Sequence, residues 1–141
     1  MRVGIAGYGV VGKTRHQSIE SNTSYQVTAI SESSEKARKS IPEGMTVYND
    51  YKTLIASAEL DVIFISLPNQ FAAEATCLSL QNGLHVFCEK PPARTHAELL
   101  EVEKQSLKFP ELKLMYGFNH RFHLSVEEAK LLIDSNSLGR L

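Results

Sequence analysis

Cysteine is scarce in this sequence, neither charge sign is in excess, and no long apolar run occurs. The two cysteines, Cys77 and Cys88, show no metal-ligand spacing and come without a signal-peptide pattern, so no disulfide framework is expected. Cys88 reads as a buried structural thiol, because Lys90 is the one cation close enough in sequence to activate it. Fifteen Lys and Arg are interspersed with 16 Asp and Glu for a net charge of −1, so there is no basic stripe for nucleic acid or an anionic membrane. No apolar stretch approaches the ~20 residues of a membrane span. The chain passes from Met1 straight into a strand pattern with no cationic segment before an apolar one, so no secretory leader is expected. The histidines, His16, His85, His96, His120 and His123, include no i, i+4 pair. His120 and His123 lack neighbouring acids or thiols, so no metal site is expected. Internal repeats, low-complexity tracts and linkers are missing too. These exclusions leave a soluble cytoplasmic domain, and 141 residues are enough for one core.

What is present is alternation. Short apolar runs predict strands at Val3–Ala6, Val27–Ile30, Thr46–Tyr48, Val62–Ile65, Leu84–Cys88 and Leu112–Phe118. Helical patterns separate them: Val11 to Ser21, Ser34 to Ser40, a helix capped by Asp50 and running through Ala56, and Gln70 to Gln81 stopped by Asn82-Gly83. Thr95 with Glu98 predicts a capping box for a fifth helix, and Val126 to Ile133 a last amphipathic one. The unbroken run Val62-Ile63-Phe64-Ile65 suits a strand buried on both faces. The expected fold is α/β, a doubly wound parallel sheet of six strands with helices on both faces, since parallel neighbours need crossovers. Ser137 to Leu141 is expected to begin a further strand.

Gly7-Tyr8-Gly9-Val10-Val11-Gly12 is G-x-G-x-x-G between the first strand and first helix. Its glycines allow a tight turn, close approach of a pyrophosphate and close helix–sheet packing, while the helix N-terminus faces the phosphates. A glycine turn kept for packing alone would look the same. Glu32, just past the second strand, stands where an acid accepts ribose hydroxyls, or where a loop acid is simply solvated. A carboxylate there repels a 2′-phosphate, which favours NAD. Lys36 or Arg38 swinging in keeps NADP open.

Ligands of open α/β sheets lie beyond the carboxyl ends of the strands. That rule selects Ser66-Leu67-Pro68-Asn69 and Glu89-Lys90-Pro91-Pro92. Lys90 can donate to a substrate oxygen, or act as acid/base if partial burial lowers its pKa. An exposed ion pair after a strand is the alternative. No G-x-S-x-G elbow surrounds Ser66. Tyr116, Phe118 and Phe122 read as core or interdomain packing rather than a stacking platform.

Gly7 to Gly12, Pro68-Asn69 and above all Gly83-Leu84-His85-Val86-Phe87-Cys88-Glu89-Lys90-Pro91 resemble the Gfo/Idh/MocA oxidoreductase family. Gly117-Phe118-Asn119-His120-Arg121-Phe122 matches the family's sixth-strand exit, and Leu138-Gly139-Arg140 its entry to a second domain. The resemblance covers the whole chain. It implies hydride transfer between NAD(P) and a hydroxyl-bearing carbon of a sugar, cyclitol or nucleotide-sugar. It also implies that Lys90 is catalytic, touching nicotinamide ribose and substrate, with Glu89 near the nicotinamide and Asn119 and Arg121 bordering the reaction site. Asn119 is then a cofactor contact and Arg121 a substrate contact. A cis Lys90-Pro91 bond, aiming the lysine inward, belongs to the same implication. Two departures stand out. Ala72 occupies a position where the family often has histidine, and family members are commonly more than twice this length. Their second domain supplies most substrate contacts, a second catalytic group and the usual homo-oligomer interface. The expected division is therefore a NAD(P)-binding domain over 1–118, then a connecting helix and the start of a second domain over 119–141.

Three functions fit: the cofactor half of a dehydrogenase, a non-catalytic dinucleotide-sensing module that regulates a partner protein, and a cofactor subunit completed by another polypeptide. The first predicts exposed apolar surface around Leu131, Leu132 and Ile133. It also predicts cofactor binding with negligible turnover by these residues alone, because hydride transfer needs substrate held at near-attack distance.

Overall fold

Short, mostly apolar runs of three to six residues become the strands, and the computed structural model, which describes residues 1–137 and Gly139, joins them into one sheet. The strands are β1 (Arg2–Ala6), β2 (Gln26–Ser31), β3 (Thr46–Tyr48), β4 (Val62–Ile65), β5 (His85–Cys88) and β6 (Leu114–Tyr116). They run in the order β3-β2-β1-β4-β5-β6, and every pairing is parallel. The order reverses between β1 and β4, so the crevice above their carboxyl ends is the topological switch point.

The helices are α1 (Val10–Glu20), α2 (Glu35–Arg38), α3 (Tyr51–Ser57), α4 (Asn69–Gln81), α5 (His96–Ser106) and α6 (Leu124–Asp134). Alternation along the strands splits the core in two. Ala6, Ile63, Ile65, Val86 and Cys88 pack with Leu54 and Ile55 of α3 and Ala75 and Leu80 of α4. Val3, Ile5, Val27, Ile30 and Val62 point the other way, onto Ile19 of α1 and the ring of Tyr8. Burial lifts the Cys88 thiol to about 11, so it stays an inert packing group.

Local chemistry sets the boundaries. The Asp50 carboxylate accepts from the Thr53 N–H at 2.8 Å and caps α3. Gly83 takes φ +75° after α4, and the Leu84 N–H returns to the Ser79 carbonyl, which closes that helix in a Schellman turn. Thr95 caps α5 through the Glu98 N–H. The expected capping box is shifted by one residue: the Glu98 carboxylate accepts from the Arg94 N–H, because it also pairs with the Arg94 guanidinium.

The structure shortens the sixth strand from the expected Leu112–Phe118 to Leu114–Tyr116. It adds a 3₁₀ turn at Asn119–Phe122, where the chain leaves the sheet edge. Beyond that turn, α6 buries none of its residues, and Leu124, Leu131 and Ile133 are exposed. The expected strand at the end of the chain involves Leu138, Arg140 and Leu141, which lie outside the described residues.

Candidate functional site

The turn from β1 to α1 is built on two glycines that admit no replacement. Gly7 has φ +89°, and a Cβ at Gly12 would sit 2.1 Å from the Gly7 carbonyl oxygen. Gly9 differs: a Cβ there would meet nothing among the described residues within 4 Å. The bare backbone of Gly9 thus faces open space at the start of α1. This helix has no side-chain cap, and its first N–H groups have no partner one turn back. Positive dipole, free donors and a cleared approach together suit a diphosphate.

Beside this loop lies a cleft of about 560 Å³ lined by Gly7, Gly9, Glu32, Ser66, Leu67 and Pro68 from the sequence-derived set. Ser31, Ser33, Asn49, Asp50, Tyr51 and Phe71 line it as well. Glu32 Oε2 accepts from the Tyr8 N–H at 2.9 Å and Oε1 from the Ser34 N–H at 2.8 Å. Each oxygen keeps a lone pair for a sugar hydroxyl, while the two amides hold the carboxylate still. The Arg38 guanidinium donates to the Asn49 side chain and to the Glu32 carbonyl, on the same side of the cleft.

Tyr8 contributes only backbone. Its ring is buried, and its hydroxyl lies 2.7 Å from His16 Nδ1. Val10 and Val11 are exposed on the first turn of α1, and Asn69 opens α4 behind Pro68. Ala72 faces the core, and Phe71 beside it takes a place on the cleft wall. Tyr51 and Phe71, with ring centroids 5.9 Å apart, form an aromatic wall that was not singled out from the sequence. Burial and the Glu74 carboxylate, which accepts from its hydroxyl, hold the Tyr51 phenol protonated well above its ordinary range.

The second group lies at the ends of β5 and β6. Glu89 is mostly buried and pairs with Arg15 of α1, whose Nη2 lies 2.5 Å from Oε1. Asn119, at the start of the 3₁₀ turn, reaches the same guanidinium through Oδ1 at 3.3 Å. Arg15 was not among the expected residues, because its partners stand far along the chain. The Lys90-Pro91 bond is cis, yet Lys90 itself is exposed, so the partial burial invoked for proton transfer is not supplied by the described residues. Arg121 is exposed beside the Phe122 ring. The structure therefore gathers the glycine loop, Glu32 and Ser66–Pro68 at one cleft, and Glu89 with Asn119 at another point, and leaves Lys90 and Arg121 open.

Residues 1–117 match the family model described as the Gfo/Idh/MocA oxidoreductase family, NAD-binding Rossmann fold. Among known proteins, D-glucoside 3-dehydrogenase of Escherichia coli K12 is 29% identical over 145 residues, covering 100% of this chain and 41% of that protein. Inositol 2-dehydrogenase of Salmonella typhimurium LT2 is 26% identical, covering 99% and 43%. Among solved structures, scyllo-inositol dehydrogenase from Lactobacillus casei with bound NAD(H) and scyllo-inositol superimposes with TM-score 0.88 at 27% identity, covering 99% of this chain and 42% of that one. The apo form of an enzyme of that name from the same organism gives 0.91 at 26%. The chain spans about two fifths of the length of the relatives it matches.

Proposed function

The chain belongs to the Gfo/Idh/MocA oxidoreductase family, and from that premise we propose that it serves as the cofactor half of a dehydrogenase acting on a hydroxyl-bearing carbon of a sugar or cyclitol. The observation that carries this is the union at one cleft of the open Gly9 backbone, the uncapped α1 N-terminus and the doubly anchored Glu32 carboxylate. Gly9 and the first turn of α1 would hold the diphosphate, and Glu32 the adenosine ribose hydroxyls. Ser66, Leu67 and Pro68 would flank the dinucleotide, with Tyr51 and Phe71 walling its adenosine end. When bound, the nicotinamide supplies the hydride acceptor or donor. Lys90 would orient a substrate hydroxyl from its exposed position, with Arg121 on the rim of the same site.

NAD is the proposed cofactor. The Glu32 carboxylate opposes a 2′-phosphate, and Arg38 is engaged by Asn49 and the Glu32 carbonyl. The proposed division is a cofactor domain over 1–118 and a connecting segment from 119 to a substrate domain. The exposed apolar residues of α6, with Phe118 and Phe122, support it. A homo-oligomer formed through that substrate domain is part of the same proposal, as is a cytoplasmic location, with which two free thiols accord.

Calorimetric titration with NADH and NADPH tests the proposal. NADH is expected to bind more tightly than NADPH, with negligible oxidation of sugars or cyclitols by the 141 residues alone. Failure to bind either dinucleotide would remove the cofactor assignment, and tighter NADPH binding would reverse the role given to Glu32.

A further inference from the structure

Arg15 joins three elements that sequence separates widely. It projects from α1, and its guanidinium reaches the end of β5 at Glu89 and the turn after β6 at Asn119. Nε donates to Glu89 Oε1 at 2.5 Å, Nη2 lies 2.5 Å from the same oxygen as an ion pair, and Nη2 donates to Asn119 Oδ1. The side chains of Arg15 and Glu89 are only 20% and 13% exposed, so solvent screens the pair weakly. The guanidinium also lies 5.1 Å from the centroid of Phe87, whose ring stacks on Phe64. Gly117 backs the same carboxylate: a Cβ there would come within 2.8 Å of Glu89 Oε2 and 3.2 Å of Oε1. The carboxylate thus meets both a guanidinium and a bare glycine.

This arrangement fixes the polarity of two groups. An arginine only donates, so Asn119 must turn its oxygen to it and its Nδ2 amide away. Oε1 of Glu89 is taken, and among the described residues neither Glu89 Oε2 nor Asn119 Nδ2 holds a hydrogen bond. One free acceptor and one free donor therefore stand at a single guanidinium. A primary carboxamide needs one of each, its NH₂ donating and its C=O accepting.

We propose that Arg15 is a positioning residue that sets Glu89 and Asn119 as an acceptor–donor pair for the carboxamide of a nicotinamide ring. This rests on the dinucleotide assignment above and adds to it how the ring end is told from other groups. Glu89 Oε2 receives the carboxamide N–H, and Asn119 Nδ2 donates to its oxygen. A nicotinic-acid ring would set its carboxylate against Glu89.

Calorimetry with NADH, its nicotinic-acid counterpart and ADP-ribose, which lacks the ring, tests this. The unmodified chain is expected to bind all three and to prefer NADH over the acid form by about tenfold. Arg15→Met is expected to weaken NADH by about tenfold while leaving ADP-ribose unchanged, and Arg15→Lys to fall between. In a Glu89→Gln background, the Arg15→Met loss and the amide-over-acid preference should both shrink. Equal weakening of NADH and ADP-ribose by Arg15→Met would make Arg15 a phosphate contact and overturn the proposal. Equal affinity of the unmodified chain for the amide and acid forms would overturn it without any variant. If ADP-ribose does not bind the unmodified chain, the dinucleotide assignment itself falls, and this inference with it.

Discussion

The glycines of the first turn differ in what a methyl group would meet. At Gly12 a Cβ strikes a backbone oxygen of Gly7, an atom that cannot move aside without reshaping the turn. At Gly9 the space is open, and φ −72° with ψ −162° is backbone that alanine adopts readily. Gly12→Ala should therefore lower stability by about 3 kcal/mol, as overpacking against fixed backbone does. Gly9→Ala should leave the melting temperature unchanged and weaken NADH about ten- to hundredfold. Thermal melts and titrations on both variants check this, and a stable Gly12→Ala or a tight-binding Gly9→Ala would contradict the division of labour. The glycine turn was legible in the sequence because its geometry lies in the backbone and its spacing is local. The place of Glu32 at the cleft was legible for a related reason, being fixed by the end of β2. Arg15 was not, since the ion pair with Glu89 depends on α1, packed on β1, β2 and β4, reaching the residue that follows β5, which no local pattern encodes. Tyr51 and Phe71 likewise meet only because α3 and α4 pack side by side.

At the scale of elements, caps decided the boundaries that the sequence predicts best. Asp50, Thr95 and Asn82-Gly83 marked helix ends that the structure reproduces within a residue. The short β6 and the 3₁₀ turn after it were less legible, because the apolar run Leu112 to Phe118 continues past the point where pairing with β5 stops. The cap of α3 also makes a pH-dependent prediction. The N–H and hydroxyl of Thr53 hold the Asp50 carboxyl below its ordinary value. Its stabilisation is then complete above the ordinary carboxylate range and is lost as pH falls through the lowered value. Asp50→Ala should cost about 1 kcal/mol at neutral pH. Denaturant titrations of both proteins should converge toward strongly acidic pH, and a gap that persists there would show that the charge is not what caps α3.

For the whole molecule, α6 lies outside the buried core of the sheet. None of the α6 residues is buried, and its contacts are chiefly with the Asn119–Phe122 turn. Ending the chain after His123 should leave the cooperative unfolding temperature of the sheet unchanged, read by circular dichroism or calorimetry. A marked fall would mean that α6 stabilises the sheet in a way its exposure does not reveal. The fold class was legible because alternation of strand and helix admits few parallel topologies.

The strand order has a consequence in time. On the β4 side, Ile5 waits for Phe64, its neighbour in the register. At ribosomal speed, roughly sixty residues take roughly 3–12 s to synthesise. Through that interval one edge of the central strand faces the crowded cell with its amides unpaired. The nascent chain is then most open to chaperones and to wrong partners, and slowing translation before Val62 should lower its soluble yield.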